Sequence, residues 1–386
     1  MNTRKRVALA FPMGVQHLER VAYGIRRYAL SHADWMFVTN PETHVLTPES
    51  LAGWDGDGVI ALVNNQEQID ILNTLSCPVV NISGRFKDCG FPRVRVDYRL
   101  AAERAAEFLL KRGFRRFAYY GLKDVWYSEL YRDGFVDRIS QEQRECSVYE
   151  SDSGVSPGQP LLQPDEELEN WLNQLEKPVG LLAAHDPRAA IIVGTCQYLN
   201  IPVPGEVAVI GINNDTTTCE FSSPTISSVA RNGERIGYKT AELLTQLMNG
   251  AAAPTEDIVI PPMQVVERAS TDIMAIENLD LARAIRFIHE HIDKPITIED
   301  ICDHIAMSRR WLEYQFRDEL KVSPHQFICS TRVSRAKTIL ASPERYKLKQ
   351  VALMSGFTSS KQMSVVFERI TGTTPRAYRQ KLSTDA

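Results

Sequence analysis

The sequence predicts an α/β body of two lobes followed by an all-α domain with two helix-turn-helix motifs. Three observations carry this. Apolar strand segments alternate with amphipathic helix segments up to about residue 250, the alternation stops near residue 270, and the remainder contains an internal repeat. At 386 residues the chain is long enough for two or three cores.

The alternation runs in order from "RVALAF" to the helix "HLERVAYGIRRYAL", then "DGVIALV" to "QEQIDILNTL", "PVVNIS", and "VRVD" to "RLAAERAAEFLLKRG". It continues with "RFAYYG" to "SELYRDGFVDRISQ", "VGLLAAH" to "PRAAIIVGTCQYLN", and "VAVIGIN" to "ERIGYKTAELLTQLMNG". Repeated strand-helix-strand units predict parallel sheets covered by helices on both faces. The expected arrangement is a domain over 1–270, with lobes at about 1–110 and 110–245 and a chain crossing back near its end. A linker at 271–280 and a helical domain over 281–386 follow. Open sheets of this kind bind ligands beyond the carboxyl ends of their strands, so the loops after Phe11, Ile60, Ser83, Tyr120, Ala184 and Ile212 are the candidates. They read "PMGVQH", "SGRF", "LKDVWY", "HDPR" and "NND". Asp, Asn, Arg and Trp in these loops suit a polyhydroxyl ligand, through hydrogen bonds to hydroxyls and apolar contact with a ring face.

The motifs of common enzymes are missing: there is no G-x-S-x-G, H-E-x-x-H, G-x-x-x-x-G-K or G-x-G-x-x-G. The chain reads as a non-enzyme without metal or cofactor; the alternative is a sugar-metabolising enzyme with a helical tail. Seven cysteines, 77, 89, 146, 196, 219, 302 and 329, are scattered without C-x-x-C spacing, which suits free thiols in a reducing compartment. No apolar run spans a bilayer, and the basic start leads into a strand rather than a leader, so the expected location is the cytoplasm. Charge divides the chain further. Residues 1–277 carry 26 Lys/Arg against 36 Asp/Glu, whereas residues 278–386 carry 18 against 12. A basic module on an acidic body points to nucleic acid as its partner.

In that module Ile301 and Val351 lie fifty residues apart, as do Ala306 and Gly356; Phe316 and Phe367, Pro324 and Pro375, and Phe327 and Tyr378 lie fifty-one apart. Each copy is a short helix, a tight turn and a second helix. At about 100° per residue, Leu312 and Phe316 form the buried edge of one second helix, and Met363 and Phe367 that of the other. Arg309, Arg310, Glu313 and Tyr314, and in the second copy Ser360, Lys361, Gln362, Ser364 and Val365, are left to meet base edges and phosphates in the major groove. Thr374-Pro375 reads as an N-cap and first-turn proline, placing Arg376 near a phosphate. Two such helices suit successive grooves about 34 Å apart on double-stranded DNA.

Residues 5–270, through "VDYRLAAERAAEFLLKRGFRRFAYYG", "GLLAAHDPRAA", "IPVPGEVAVIGINND" and "SSPTISSVARNGERIGYKTAELL", resemble the periplasmic-binding-protein-like effector domain of LacI/GalR regulators. The resemblance implies sugar-hydroxyl binding by Arg132 of "YRDGF", by Asp186, and by Asn213, which stands where the family usually has Asp; Asp97 and Trp126 in neighbouring loops complete the expected set. Residues 281–382, through "SGF" and "F-E-R-x-x-G-x-T-P-x-x-Y-R", resemble the DNA-binding domain of the AraC family, with Ala306 and Lys321 at the positions of Gly356 and Gly372. A sugar sensor ahead of an AraC-type reader is the order of bacterial regulators of xylose catabolism. That likeness implies D-xylose or, in a regulator of the same build, another sugar as effector, operator DNA and RNA polymerase as partners, a homodimer, and transcription activation.

Overall fold

The computed structural model describes residues 4–152, 166–272, 278–341, 344 and 346–384. The chain divides into two compact units, Met1–Ala275 and Ile276–Ala386. The division falls between residues 275 and 276, and residues 273–277 of the expected linker lie outside the described residues.

The first unit opens with β1 (Lys5–Ala10), α1 (Gln16–His32), β2 (Trp35–Val38), β3 (Gly58–Ala61), α2 (Gln66–Asn73) and β4 (Val79–Asn81). These strands form a parallel sheet of order β2-β1-β3-β4. After the short β5 (Val94–Val96) and α3 (Tyr98–Lys111) come β6 (Arg116–Leu122), α4 (Trp126–Ser140), β7 (Cys146–Ser151) and α5 (Glu166–Gln174). Next are β8 (Val179–Ala183), α6 (Asp186–Tyr198), β9 (Val207–Asn213), α7 (Thr216–Phe221) and β10 (Ser227–Ala230). The chain ends this unit with α8 (Gly233–Met248), β11 (Ile258–Ile260) and β12 (Val265–Val266). The second sheet has the order β12-β10-β9-β8-β6-β7, parallel except for β12.

Neither lobe is one continuous stretch. Helix α3, expected in the first lobe, packs on α4 and β8 of the second, whereas α8, expected in the second, lies along α1 and against β3 and β4 of the first. Strand β11 then pairs with β5, and β12 returns to the second sheet beside β10. Hydrophobic periodicity identifies a helix but does not say which sheet its apolar face will cover. The expected strands that form sheet interiors are all present. Edge strands β2 and β7 escaped the sequence expectation; both are only half buried, and β7 mixes polar with apolar residues. Strand β10 escaped it for another reason: its Ser227 and Ser228 are fully buried, and side-chain and backbone partners satisfy their hydroxyls.

The second unit is helical: α9 (Leu279–Glu290), α10 (Ile298–Ile305), α11 (Arg309–Leu320), α12 (Pro324–Ala341), α13 (Leu348–Met354), α14 (Ser360–Thr371) and α15 (Pro375–Thr384). The repeat seen in sequence is a repeat in space. Helices α10 and α11 make one helix-turn-helix, α13 and α14 the other, and the long α12 packs against helices of both. Ser308 and Ser359, fifty-one residues apart, are matching N-caps, their hydroxyls accepting from the amides of Trp311 and Gln362. Leu312, Phe316, Met363 and Phe367 are fully buried. Each copy closes with the same edge-on aromatic pair, Phe316 on Phe327 and Phe367 on Tyr378, both with centroids 5.5 Å apart.

Candidate functional site: a ligand cavity and a paired helical surface

A cavity of about 280 Å³ opens in the first unit at the carboxyl ends of its strands. That is near the lower bound of about 300 Å³ for small-molecule sites. The ends of six strands supply part of the wall. His17 stands at the start of α1 after β1, Asn64 follows β3, Ser83 and Gly84 follow β4, His185 follows β8, Asn213 and Asp215 follow β9, and Arg231 follows β10. Tyr98 of α3 and Tyr127 and Tyr131 of α4 complete it; Tyr131 meets Tyr98 edge-on at 5.3 Å and Tyr127 at 6.0 Å. The lining therefore pairs aromatic faces with amide, hydroxyl and imidazole groups of both hydrogen-bonding senses, together with one guanidinium and one carboxylate. Such a set matches a neutral polyhydroxyl ring: stacking surface for C–H faces and convergent donors and acceptors for vicinal hydroxyls.

Electrostatics favour neutral imidazoles here. Burial, reinforced by the Arg231 charge, lowers His17 to about 3, and burial with nearby Arg188 lowers His185 to about 4. Burial also pushes the hydroxyls of Tyr98, Tyr127 and Tyr131 up, Tyr127 to about 12, so all three stay protonated and able to donate. Asp186 sits beneath the wall, fully buried, and burial lifts its carboxyl to about 7. Its Oδ1 accepts from the Ser228 hydroxyl at 2.5 Å and its Oδ2 from the Asp215 amide at 2.7 Å.

Of the five residues expected to bind sugar, the structure brings only Asn213 to the cavity wall, where its Oδ1 accepts from Arg231 at 3.4 Å. Asp186 lies behind that wall. Arg132, on the outer part of α4, is held by Glu150 at 3.1 Å and by Asp133. Asp97 is the N-cap of α3, accepting from the Leu100 amide. The Trp126 indole lies under two guanidiniums, Arg93 at 4.5 Å and Arg95 at 5.1 Å, which share Asp257. The candidate loops were legible; the residues within them were only partly so. His17, Asn64, Ser83, His185 and Asp215 fall in or beside those loops, whereas Arg231 follows a strand hidden by its serines and Tyr98 sits on α3, which packs on the second lobe and not on the first, where its place in the chain puts it.

In the second unit, the residues expected to meet DNA lie along α11, α14 and the start of α15. Arg310, Lys361, Gln362 and Arg376 are exposed, as are Tyr314 and Val365; Glu313, Ser360 and Ser364 are half-buried. Three of the candidates, Arg309, Glu313 and Gln362, already have partners. Arg309 is paired with Glu299 and with Glu313, both at 3.0 Å. The Gln362 amide oxygen turns back to accept from Thr358, completing the N-terminal cap of α14. At α15 the Thr374 hydroxyl accepts from the Ala377 amide, and Pro375 occupies the first turn.

Among the described residues no three His, Cys, Asp or Glu side chains are gathered to hold a metal, and no helix is long and apolar enough to cross a membrane. Residues 106–271 match a periplasmic binding protein-like domain and residues 301–381 a helix-turn-helix domain. The xylose operon regulatory protein of Escherichia coli is 29% identical over 97% of this chain and 97% of its own. That of Haemophilus influenzae is 29% identical over 97% and 98%. A solved xylose-binding transcription activator superposes over 98% of both chains with a TM-score of 0.79 at 27% identity. A ribose-bound LacI family regulator from Enterococcus faecium matches 70% of this chain and all of its own at a TM-score of 0.56 and 17% identity, which shows the fold of the first unit. The chain is thus a DNA-binding transcriptional regulator in which a periplasmic-binding-protein-like domain precedes an AraC-type helix-turn-helix domain, the build of the xylose operon regulatory proteins.

Proposed function

We propose that this regulator takes D-xylose into the cavity of its first unit and, in the xylose-bound form, activates genes of xylose catabolism in the cytoplasm. The observation that carries the sugar is the end-to-end likeness to xylose operon regulators, in which both units are retained together with their order. The tyrosine-walled, hydroxyl- and amide-lined cavity supports the same reading. Asn213, Asp215, Asn64, Ser83, His185 and Arg231 are the residues assigned to hold the hydroxyls, and the tyrosines to face the ring.

Arg310, Tyr314, Lys361, Ser364 and Val365 read the major groove, and Arg376 holds a phosphate at the start of α15. The chain acts as a homodimer. Exposed Tyr23 and Leu30 on α1, Met36 on β2, and Ile191, Tyr198 and Phe221 on α6 and α7 supply apolar surface for a second copy. RNA polymerase is the partner of the activated form. Sugar acts on DNA binding only by its differential affinity for two forms of the protein.

The test is thermal-shift screening of the purified chain against pentoses and hexoses, followed by titration of DNA selected in vitro, with and without the sugar found. D-xylose should raise the melting temperature more than the other sugars and tighten DNA binding. Stabilisation by a different sugar alone would replace xylose, and equal DNA affinity with and without sugar would remove the coupling.

A further inference from the structure

We propose that Asp186 is a positioning residue of the ligand cavity: from behind the wall it fixes the turn 213–216, which lines the cavity and also ties the second lobe to the first. This rests on the cavity being the ligand site. The turn is unusual in its backbone. Asn213 and Asn214 both have positive φ, 112° and 51°, a conformation that side chains other than glycine's rarely adopt and that persists only where the surroundings enforce it.

The enforcing contacts converge on Asp186. The Asp215 amide donates to its Oδ2 at 2.7 Å, and the Ser228 hydroxyl to its Oδ1 at 2.5 Å. Ser228 Oγ in turn accepts from the Asn214 amide at 3.0 Å, so two consecutive amides of the turn are held by one carboxyl and its serine. Space has been left for this: a Cβ on Gly211 would lie 2.3 Å from Asp186 Oδ1. The front of the same turn presents Asn213 and Asp215 to the cavity. Its next residue, Thr216, donates its amide and, at 2.8 Å, its hydroxyl to Oε1 of Gln16 at the start of α1 in the first lobe. A ligand that settles against Asn213 and Asp215 thereby loads a turn already joined to both lobes. The Asp186 side chain sets its shape without touching the ligand.

The experiment compares full-length wild type, Asp186→Ala, Asp186→Asn, Ser228→Ala and Asp186→Ala/Ser228→Ala by two measurements. The first is amide hydrogen exchange without sugar. Asp186→Ala and Ser228→Ala should speed exchange in peptides covering 213–218 at least tenfold while the strands β1 and β8 exchange as in wild type, and Asp186→Asn should recover most of the protection. Unchanged exchange at 213–218, or acceleration spread evenly over the unit, would overturn the positioning role. The second is calorimetric titration with D-xylose. Asp186→Ala should weaken binding at least tenfold, with the double variant no weaker than Asp186→Ala alone, because both side chains act through one turn; a loss in the double variant equal to the product of the single losses would instead make Asp186 a ligand contact. If wild type binds no D-xylose, the sugar assignment falls, while the sugar-free exchange still decides the role of Asp186. Should Asp186→Ala fail to fold, Ser228→Ala carries both arms.

Discussion

The two helix-turn-helix copies of the second unit share a frame and differ at its joints. Both bury an aromatic residue against another at 5.5 Å, both cap the second helix with serine, and both leave a left-handed residue at each end of that frame. In the first copy those left-handed positions are Ala306 and Lys321, with φ of 56° and 57°; in the second they are Gly356 and Gly372, at 78° and 72°. The difference lies in what surrounds each position. A Cβ on Gly356 would meet the Ile292 carbonyl oxygen at 1.8 Å, while one on Gly372 would meet nothing within 4 Å. Of the two glycines, one is demanded by packing and the other only by backbone preference.

The largest test of that distinction is Gly356→Ala. The clash with Ile292, added to the left-handed backbone, should cost about 4 kcal/mol or more and abolish cooperative unfolding of the second unit by denaturant titration. Near-native stability would mean that the chain at 292 yields easily, and the contrast between the two glycines would dissolve. Next come Phe316→Ala and Phe367→Ala, each expected to lose about 3–5 kcal/mol. If the copies are energetically equivalent frames the two losses should agree within about 1 kcal/mol, and a wider gap would show that one copy supports the other.

On the outer faces the copies diverge in chemistry, Arg310 and Tyr314 against Lys361 and Val365. Arg310→Ala and Lys361→Ala should each weaken DNA binding about tenfold to a hundredfold and reduce its dependence on salt. Arg309→Ala, which removes a guanidinium already shared by Glu299 and Glu313, should change the affinity less than either. The smallest effect belongs to the open joints. Lys321→Gly should add up to about 1 kcal/mol of stability and Gly372→Ala remove about the same, read from denaturation midpoints.

Sequence spacing made these frames legible because a buried edge repeats along a helix with fixed geometry, and Leu312, Phe316, Met363 and Phe367 obey it. The strand interiors of the first unit were legible for a different reason: β8 and β9 are buried on both faces and so read as continuous apolar runs. The ligand cavity was legible only as a set of loops. Its walls are assembled by strand order, which no local pattern encodes, and Arg231 and Tyr98 reached it from segments whose neighbours were misplaced. Arg132 and Trp126 have residue types that suit a sugar site, yet in the structure nearby Glu150 and the Arg93–Arg95 pair engage them. A side chain's chemistry is visible in sequence, but its competing partners are not.

The chain passes between the lobes of the first unit three times, at β5 to α3, at β10 to α8, and at β11 to β12. At the level of the gene, neither lobe is therefore a single cassette. Recombination that exchanges ligand preference must carry the whole of about 4–272 or leave one lobe with a foreign helix or strand, whereas the helical reader can be traded at one junction. In this architecture new combinations of signal and DNA site arise by swapping units, and new ligands by point substitution around the cavity.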